Sequence, residues 1–340
     1  MPAAVIGAAR PAPSPGRRWL VPAAGAAGIL LLGWLIVDLG PARIATQLKG
    51  LGPILPLVIA LTFLKYPLQA AGWRLALPAD ARPSWRTSVV ATITGDALGY
   101  LTWAGPFTGE PMRAMLIRDR VPVASGIAAG AIERAAYNAT SALLVWVVLA
   151  FLLARQHPVA LAAVTAGSAA GVWWLIRWLR RSPSRAASHA AEGAVEPMRG
   201  PRAVLRAMRH LGRDRRAALP AIVALCAAQH AVLVGEAWLM LDALGGDVPV
   251  GTALVFEAVM KIVNTVGVVV PGRIGIAEGG SALLAGALGF AAAHGLGLAL
   301  MRRVRAIIWA GVGLALLPFQ EARARRAPSG RDEGRHALRE

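Results

Sequence analysis

The sequence predicts an all-α protein that crosses a membrane several times and breaks two of its helical elements inside it. Three observations carry this. Hydrophobic residues make up 56% of the 340, mean hydropathy is +0.54, and only 16% of residues are charged. Several apolar runs reach the ~20 residues that a helix needs to span a bilayer. Two regions, Ser88–Pro106 and Val250–Val270 with the stretch after it, are apolar but interrupted by proline, glycine and charge.

The stretch Val268–Gly280, VVVPGRIGIAEGG, is the clearer break. Pro271 cannot continue a helix, and Gly272 and Gly275 permit close backbone approach. Backbone freed in this way is tolerated at membrane depth only where it is buried in protein or lines a cavity. Arg273 and Glu278 would each cost roughly 2.5–3.5 kcal/mol at the centre of a spanning helix. The stretch is therefore expected to be a re-entrant element facing a polar site.

In chain order, residues 1–18 are Pro/Ala-rich with Arg10, Arg17 and Arg18, the pattern of a disordered cytoplasmic tail. Trp19–Leu39 and Leu51–Ala71 are the first two expected spans. Trp19–Leu39 is too long in its apolar core for a signal peptide, and no convincing cleavage site follows. Arg74, Arg82 and Arg86 then place a loop in the cytoplasm by the positive-inside rule. Ser88–Pro106 carries Gly95, Asp96, Gly99, Gly105 and Pro106, with Arg113, Arg118 and Arg120 beyond, so it is expected to enter and leave on the cytoplasmic face. Val121–Ala154 holds Glu133, Arg134, Tyr137 and Asn138 and is too long for a simple span, which predicts a tilted or kinked helix. Val159–Leu179 returns to the cytoplasm.

Residues 180–216 form a basic linker with ten Arg against Glu192, Glu196 and Asp214. Val204, Leu205, Met208 and Leu211 share a helical face ringed by arginine, as in a basic interfacial helix. An ordinary positive-inside loop is the simpler reading. Ala217–Leu241 is the next span, with Gln229, His230 and Glu236 inside it; an isolated His there suits helix packing better than proton relay. Val250–Val270 follows with Glu257, Lys261 and Asn264, and Ala291–Phe319 is the last apolar run, with Arg302, Arg303 and Arg305 within it. Residues 19–319 are thus expected to form one membrane domain of about eight helices, and 320–340 a charged disordered tail. The basic segments put the N-terminus, the linker and the C-terminal tail on the cytoplasmic side.

Composition also limits function. The formal net charge of +18 would suggest nucleic acid in a soluble protein, but here the positive-inside rule and anionic headgroups account for it. No nucleic-acid partner is expected. Cys226 is the single cysteine, so no intramolecular disulfide can form. No metal-ligand cluster, phosphate-binding Gly loop or catalytic triad is legible, so no metal, no cofactor, no catalytic residues and no enzyme activity are expected.

The two broken regions share a layout. Asp96 stands ten residues before Pro106, and Lys261 ten before Pro271; a glutamate follows each proline, Glu110 and Glu278. An apolar helix with Arg134 or Arg303 lies beyond, 24 residues after Glu110 and 25 after Glu278. Broken helices in corresponding halves point to a transporter site.

The strings GDALGYLTWAGPFTGEPMRAML with the Glu133-Arg134 pair, and PGRIGIAEGG with LMRRVRAIIWAGVGL, resemble the two halves of the lysylphosphatidylglycerol synthase transmembrane region, a flippase-like family. The resemblance covers roughly Trp19 to Phe319. It implies a multi-spanning bacterial inner-membrane protein that moves or presents lipids, with anionic phospholipids and isoprenoid or hopanoid-type lipids as partners. Synthases of this family carry a soluble aminoacyl-transfer domain after the membrane region. The apolar runs here end near Phe319, so that activity is not expected.

The site residues follow from the intramembrane charges. Lys261, Arg273 and Glu278 come first, as holders of a lipid headgroup, with Arg302 and Arg303 beyond them. Asp96, Glu110, Arg113, Glu133 and Arg134 form the matching first-half set. Mutual neutralisation, with Glu257 as an acid partner, is the structural alternative. Pro106, Pro271, Gly272 and Gly275 are the backbone breaks. Two expectations follow: Lys261, Arg273 and Glu278 contact opposite charges, and the segments around Pro106 and Pro271 meet in one site between the halves. Two function classes fit, a lipid flippase or transporter and a non-transporting scaffold that holds a lipid-modifying enzyme.

Overall fold

Proline and glycine set the ends of most helices. The computed structural model describes residues 41–102, 106–118, 120–154, 214–245, 247–267, 270 and 273–326, with isolated positions at 34, 37, 159, 162, 165, 166, 208 and 211. The expected spans Trp19–Leu39 and Val159–Leu179, most of the basic linker, the N-terminal tail, Pro271 and Gly272 lie outside the described residues.

Helix α1 (Pro41–Leu51) ends at a 3-10 turn, Gly52–Ile54, from which α2 (Leu55–Ala76) starts. The expected start at Leu51 is thus displaced, because Pro53 and Pro56 favour the first turn of a new helix over the interior of an old one. Ser84 caps α3 (Trp85–Leu101), its hydroxyl accepting from the Thr87 amide at 3.3 Å. The chain turns extended at Thr102, and α4 (Pro106–Met115) begins at the proline. Helix α5 (Val123–Ala154) is one continuous element of 32 residues. After the turn Arg216–Ala218 come α6 (Leu219–Gly245), α7 (Val250–Val266), α8 (Ile276–Ala287) and α9 (Ala292–Arg326). Helix α9 passes the boundary expected at 319. Among the described residues there is no strand.

The chain is therefore an all-α membrane protein with two broken elements. Lys49–Ala76, Val123–Ala154 and Arg216–Leu244 are each long and apolar enough to cross a membrane. Helices α3 and α7 have 17 residues each, about 25 Å at 1.5 Å per residue, short of a ~30 Å hydrocarbon core. Each instead folds back into a short partner, α3 on α4 and α7 on α8. The first hairpin closes tightly because Gly95 and Gly109 face each other: a Cβ on Gly109 would lie 2.8 Å from the Gly95 carbonyl oxygen.

The two halves repeat. Their helices run 22, 17, 10 and 32 residues in α2–α5, and 27, 17, 12 and 35 in α6–α9. Packing repeats too. In each half the short helix contacts the long one, and across halves α2 packs on α6, α3 on α9 and α5 on α7. This exchange of partners is what a pseudo-two-fold relation between halves produces. One apolar core, around Phe256, Met240 and Leu298, joins α6, α7 and α9; another, around Trp73, Ile117 and Ile222, joins α2, α5, the loop after α4 and the start of α6.

The contact of α9 with α3 depends on one glycine. A Cβ on Gly313 would lie 2.4 Å from Ala97 Cβ and 2.8 Å from the Ile93 carbonyl oxygen, whereas a Cβ on Gly311 meets nothing within 4 Å. Gly313→Ala is therefore expected to destabilise by about 1–3 kcal/mol through overpacking. Gly311→Ala is expected to be neutral or to stabilise by up to about 1 kcal/mol through helix propensity. Thermal unfolding of the detergent-purified variants checks the contrast.

Candidate functional site

Charge buried among apolar helices has to find its partners within the protein. In the first half, Glu110 on α4 accepts from Arg113 at 2.5 Å and from Arg134 on α5 at 2.9 Å. Arg113 also reaches Glu133 at 3.6 Å and lies 4.4 Å from the centre of the Trp73 ring. Lys65 on α2 pairs with Asp96 on α3 at 3.1 Å.

The second half follows the same plan. Glu278 on α8 pairs with Arg303 on α9, as Glu110 pairs with Arg134. Arg134 and Arg303 each stand eleven positions after the first residue of their helices, Val123 and Ala292. The repeat in the sequence is thus a repeat in space. Glu257 on α7 accepts from Arg302 at 2.7 Å and pairs with Lys261 at 3.5 Å. Glu236 on α6 is fully buried and takes Arg305 and, at 3.7 Å, Arg302.

Glu278 has a second role. Its other carboxylate oxygen accepts from the Gly275 amide at 2.8 Å and so caps α8. Gly275 adopts φ 79 and Arg273 φ 53, both in the left-handed region. Glycine enters that region freely, so the expected backbone break at Gly275 is a turn that needs it. Pro106 opens α4, as expected of a break.

Two expectations need correction. Arg273 has no acidic partner among the described residues. The opposite charges are also not shared between halves, since every ion pair above closes within its own half. Glu110 and Glu278 are met by cations from their own hairpin or the next helix, whereas Glu236 and Glu257 take arginines from α9, further along the same half. The hairpins themselves make their principal cross-half contacts with the long helix of the other half.

What joins the halves is mostly neutral. Thr62 on α2 donates to Glu236 on α6 at 3.2 Å. His230 Nε2 lies 3.0 Å from the Thr140 hydroxyl and 3.2 Å from the Tyr137 carbonyl, with its ring 4.4 Å from the Tyr137 ring. That is the helix-packing role expected of His230. Lys261 lies 5.4 Å from the centre of the Tyr137 ring, and Arg134 lies 5.7 Å from it. Tyr137 is therefore the residue about which charges from both halves gather. Among the described residues there is no cluster of His, Cys, Asp and Glu fit for a metal ion.

Lys65, Glu236 and Tyr137 are the residues that sequence reasoning placed least well. Lys65 was legible as a charge inside the apolar run LTFLKYPLQ, and Glu236 as an acid inside a span. Nothing in the order of residues marks Tyr137 as a meeting point.

Glu236→Gln is expected to destabilise by about 3–5 kcal/mol, because it strands Arg305 and weakens Arg302 inside the fold. Asp96→Asn is expected to cost less, since Lys65 and Asp96 keep 26% and 29% of their side-chain exposure. Unfolding midpoints of the two variants in one detergent give the comparison.

The sequence model of one family, "Lysylphosphatidylglycerol synthase TM region", matches residues 20–314. No curated protein and no solved structure gives a significant match. The match takes in both hairpins, all of α5, α9 as far as residue 314 and every ion pair described above. The chain belongs to the lysylphosphatidylglycerol synthase transmembrane-region family.

Proposed function

We propose that the chain is a lipid flippase or transporter whose polar site lies between its two halves. The family indicates a membrane protein of lipid metabolism or transport. The finer reading rests on one observation: at the junction, ionic side chains remain partly open although the helices around them are apolar. Lys65, Asp96 and Arg134 keep 26%, 29% and 32% of their side-chain exposure, while Glu236 and Glu278 in the second half keep none. A sealed charge network would serve structure alone. Partly open charge beside closed pairs suits a surface that a headgroup meets in passing.

In this reading the partners are membrane lipids, and a lipid-modifying enzyme that supplies or consumes them is a natural companion. The chain itself performs no bond-making step and holds no cofactor. It sits in a bacterial inner membrane with its N-terminus in the cytoplasm, as the basic loops favour. The two hairpins then enter from opposite faces, because α2 and α6 run in opposite directions. This is the inverted arrangement used for alternating access.

The test is reconstitution of the full chain into vesicles with fluorescent lipids and a leaflet-sidedness assay. The expected result is lipid movement above that of protein-free vesicles, lowered at least tenfold by Arg134→Gln. Arg134 is the most open member of the ionic set, so this substitution removes a junction cation at modest structural cost. Correctly folded protein that moves no lipid, but captures a lipid-modifying enzyme, would replace this reading with the scaffold.

A further inference from the structure

Two side chains of the basic linker turn inward. Met208 and Leu211, from the face expected to enter lipid, pack into the protein's own core around Trp73, Ile117 and Ile222. An interfacial helix needs that face turned to the bilayer. Here it docks on the protein, which leaves the neighbouring arginine at the rim of the core. The same core takes the ends of three spanning helices: Trp73 and Leu77 at the end of α2, Val121 just before α5, and Ile222 at the start of α6. The rim therefore lies at one membrane face.

Three arginines meet there. Arg215 stands one helical turn after Leu211, and its amide donates to the Leu211 carbonyl at 2.8 Å. Arg82 follows Ala81, which packs on the same core, and reaches back to the Leu75 carbonyl at 3.5 Å. Arg74 donates to the Pro83 carbonyl and, at 3.4 Å, to the Ser88 hydroxyl; its guanidinium lies 5.8 Å from the centre of the Trp85 ring. These acceptors are all neutral. Burial, then Arg215 and Arg74, push the Arg82 pKa below the ordinary arginine value, and among the described residues no acid offsets them. The Nε atoms of Arg82 and Arg215 are buried without a hydrogen-bond partner among the described residues. Guanidiniums held by neutral acceptors keep their full charge, so like charges gathered in this way call for an anion.

The setting identifies the anion. Trp85 opens α3 and is 48% exposed, and Met115 closes α4 at the same end of the hairpin and is 41% exposed. Exposed apolar side chains beside fixed guanidiniums, at the ends of spanning helices, match a molecule with a phosphate and acyl chains. We propose that Arg74, Arg82, Arg215 and Trp85 form a binding site for an anionic phospholipid of that leaflet. Arg82 and Arg215 hold its phosphate, and Arg74 fixes the loop that presents Arg82. The site is separate from the junction between the halves and does not depend on lipid movement by the chain.

Native mass spectrometry of the full chain in detergent, titrated with phosphatidylglycerol or phosphatidylcholine of equal acyl chains, tests this. Phosphatidylglycerol is expected to bind about tenfold more tightly. Arg82→Gln combined with Arg215→Gln is expected to bring the two lipids to within about twofold, with the thermal midpoint unchanged because no acid is stranded. Arg86→Gln combined with Arg216→Gln removes the same charge from exposed arginines of the same face and is expected to leave the preference intact. Should the first variant fail to fold, Arg215→Gln alone carries the test, with a loss of about threefold. Equal binding of the two lipids by the parent chain overturns the proposal. So does an equal loss in both double variants, which would mean diffuse attraction to a basic face rather than a site. Inorganic phosphate that displaces phosphatidylglycerol at equal concentration would assign the arginines to a soluble anion and overturn the lipid.

Discussion

The structure depends on one constraint: a charge among apolar helices must be neutralised by a neighbour, since neither lipid nor core can solvate it. The fold answers with two equivalent contacts, Glu110 with Arg134 and Glu278 with Arg303. Each fastens a broken hairpin to the long helix that follows it. Glu278 also supplies the acceptor that the Gly275 amide would otherwise lack. One side chain thus closes both the charge and the backbone deficit at the turn. Removing it would leave a cation and a helix end unsatisfied together.

Because each half settles its own ion pairs, the contact between halves is free to be something else. It is made of apolar packing, the Thr62 and His230 hydrogen bonds, and the Tyr137 ring. Neutral contacts of this kind exchange partners at lower cost than buried ion pairs, which would suit the opening that the proposed transport requires. In the proposed transporter the pseudo-two-fold relation would supply a second arrangement of similar packing, in which the halves trade roles. The replacement of Asp96 by Lys261 at the matching position breaks the symmetry of charge between the halves.

Much of this was legible in the sequence, and for definite reasons. Apolar run length gave the spans α2, α5 and α6, and proline with glycine marked both hairpins. The intervals from Glu110 to Arg134 and from Glu278 to Arg303 anticipated the paired contacts, because a hairpin and its following helix keep their register. Partners distant in sequence were not legible. Lys65 meets Asp96 only after α2 and α3 pack, and Glu236 meets Arg305 across 69 residues. That Arg273 finds no acidic partner among the described residues could not be foreseen, since hydropathy prices a charge but does not locate its neighbours. Nor was it legible that ion pairs as distant as Glu236 with Arg305 would still close within one half.

The central claim is that a lipid headgroup meets the junction at Tyr137. A photocrosslinking phenylalanine analogue in place of Tyr137, in the reconstituted full chain, tests it most directly. Leu143, 58% exposed on the same helix, serves as the lipid-facing control and Ala258, 1% exposed on α7, as the buried one. The account predicts that position 137 captures a headgroup-labelled lipid, that Arg134→Gln, which removes the arginine 5.7 Å from the Tyr137 ring, reduces the capture, and that position 143 captures acyl chains whether or not Arg134 is present. Capture at 143 alone, with none at 137 in folded protein, would contradict it.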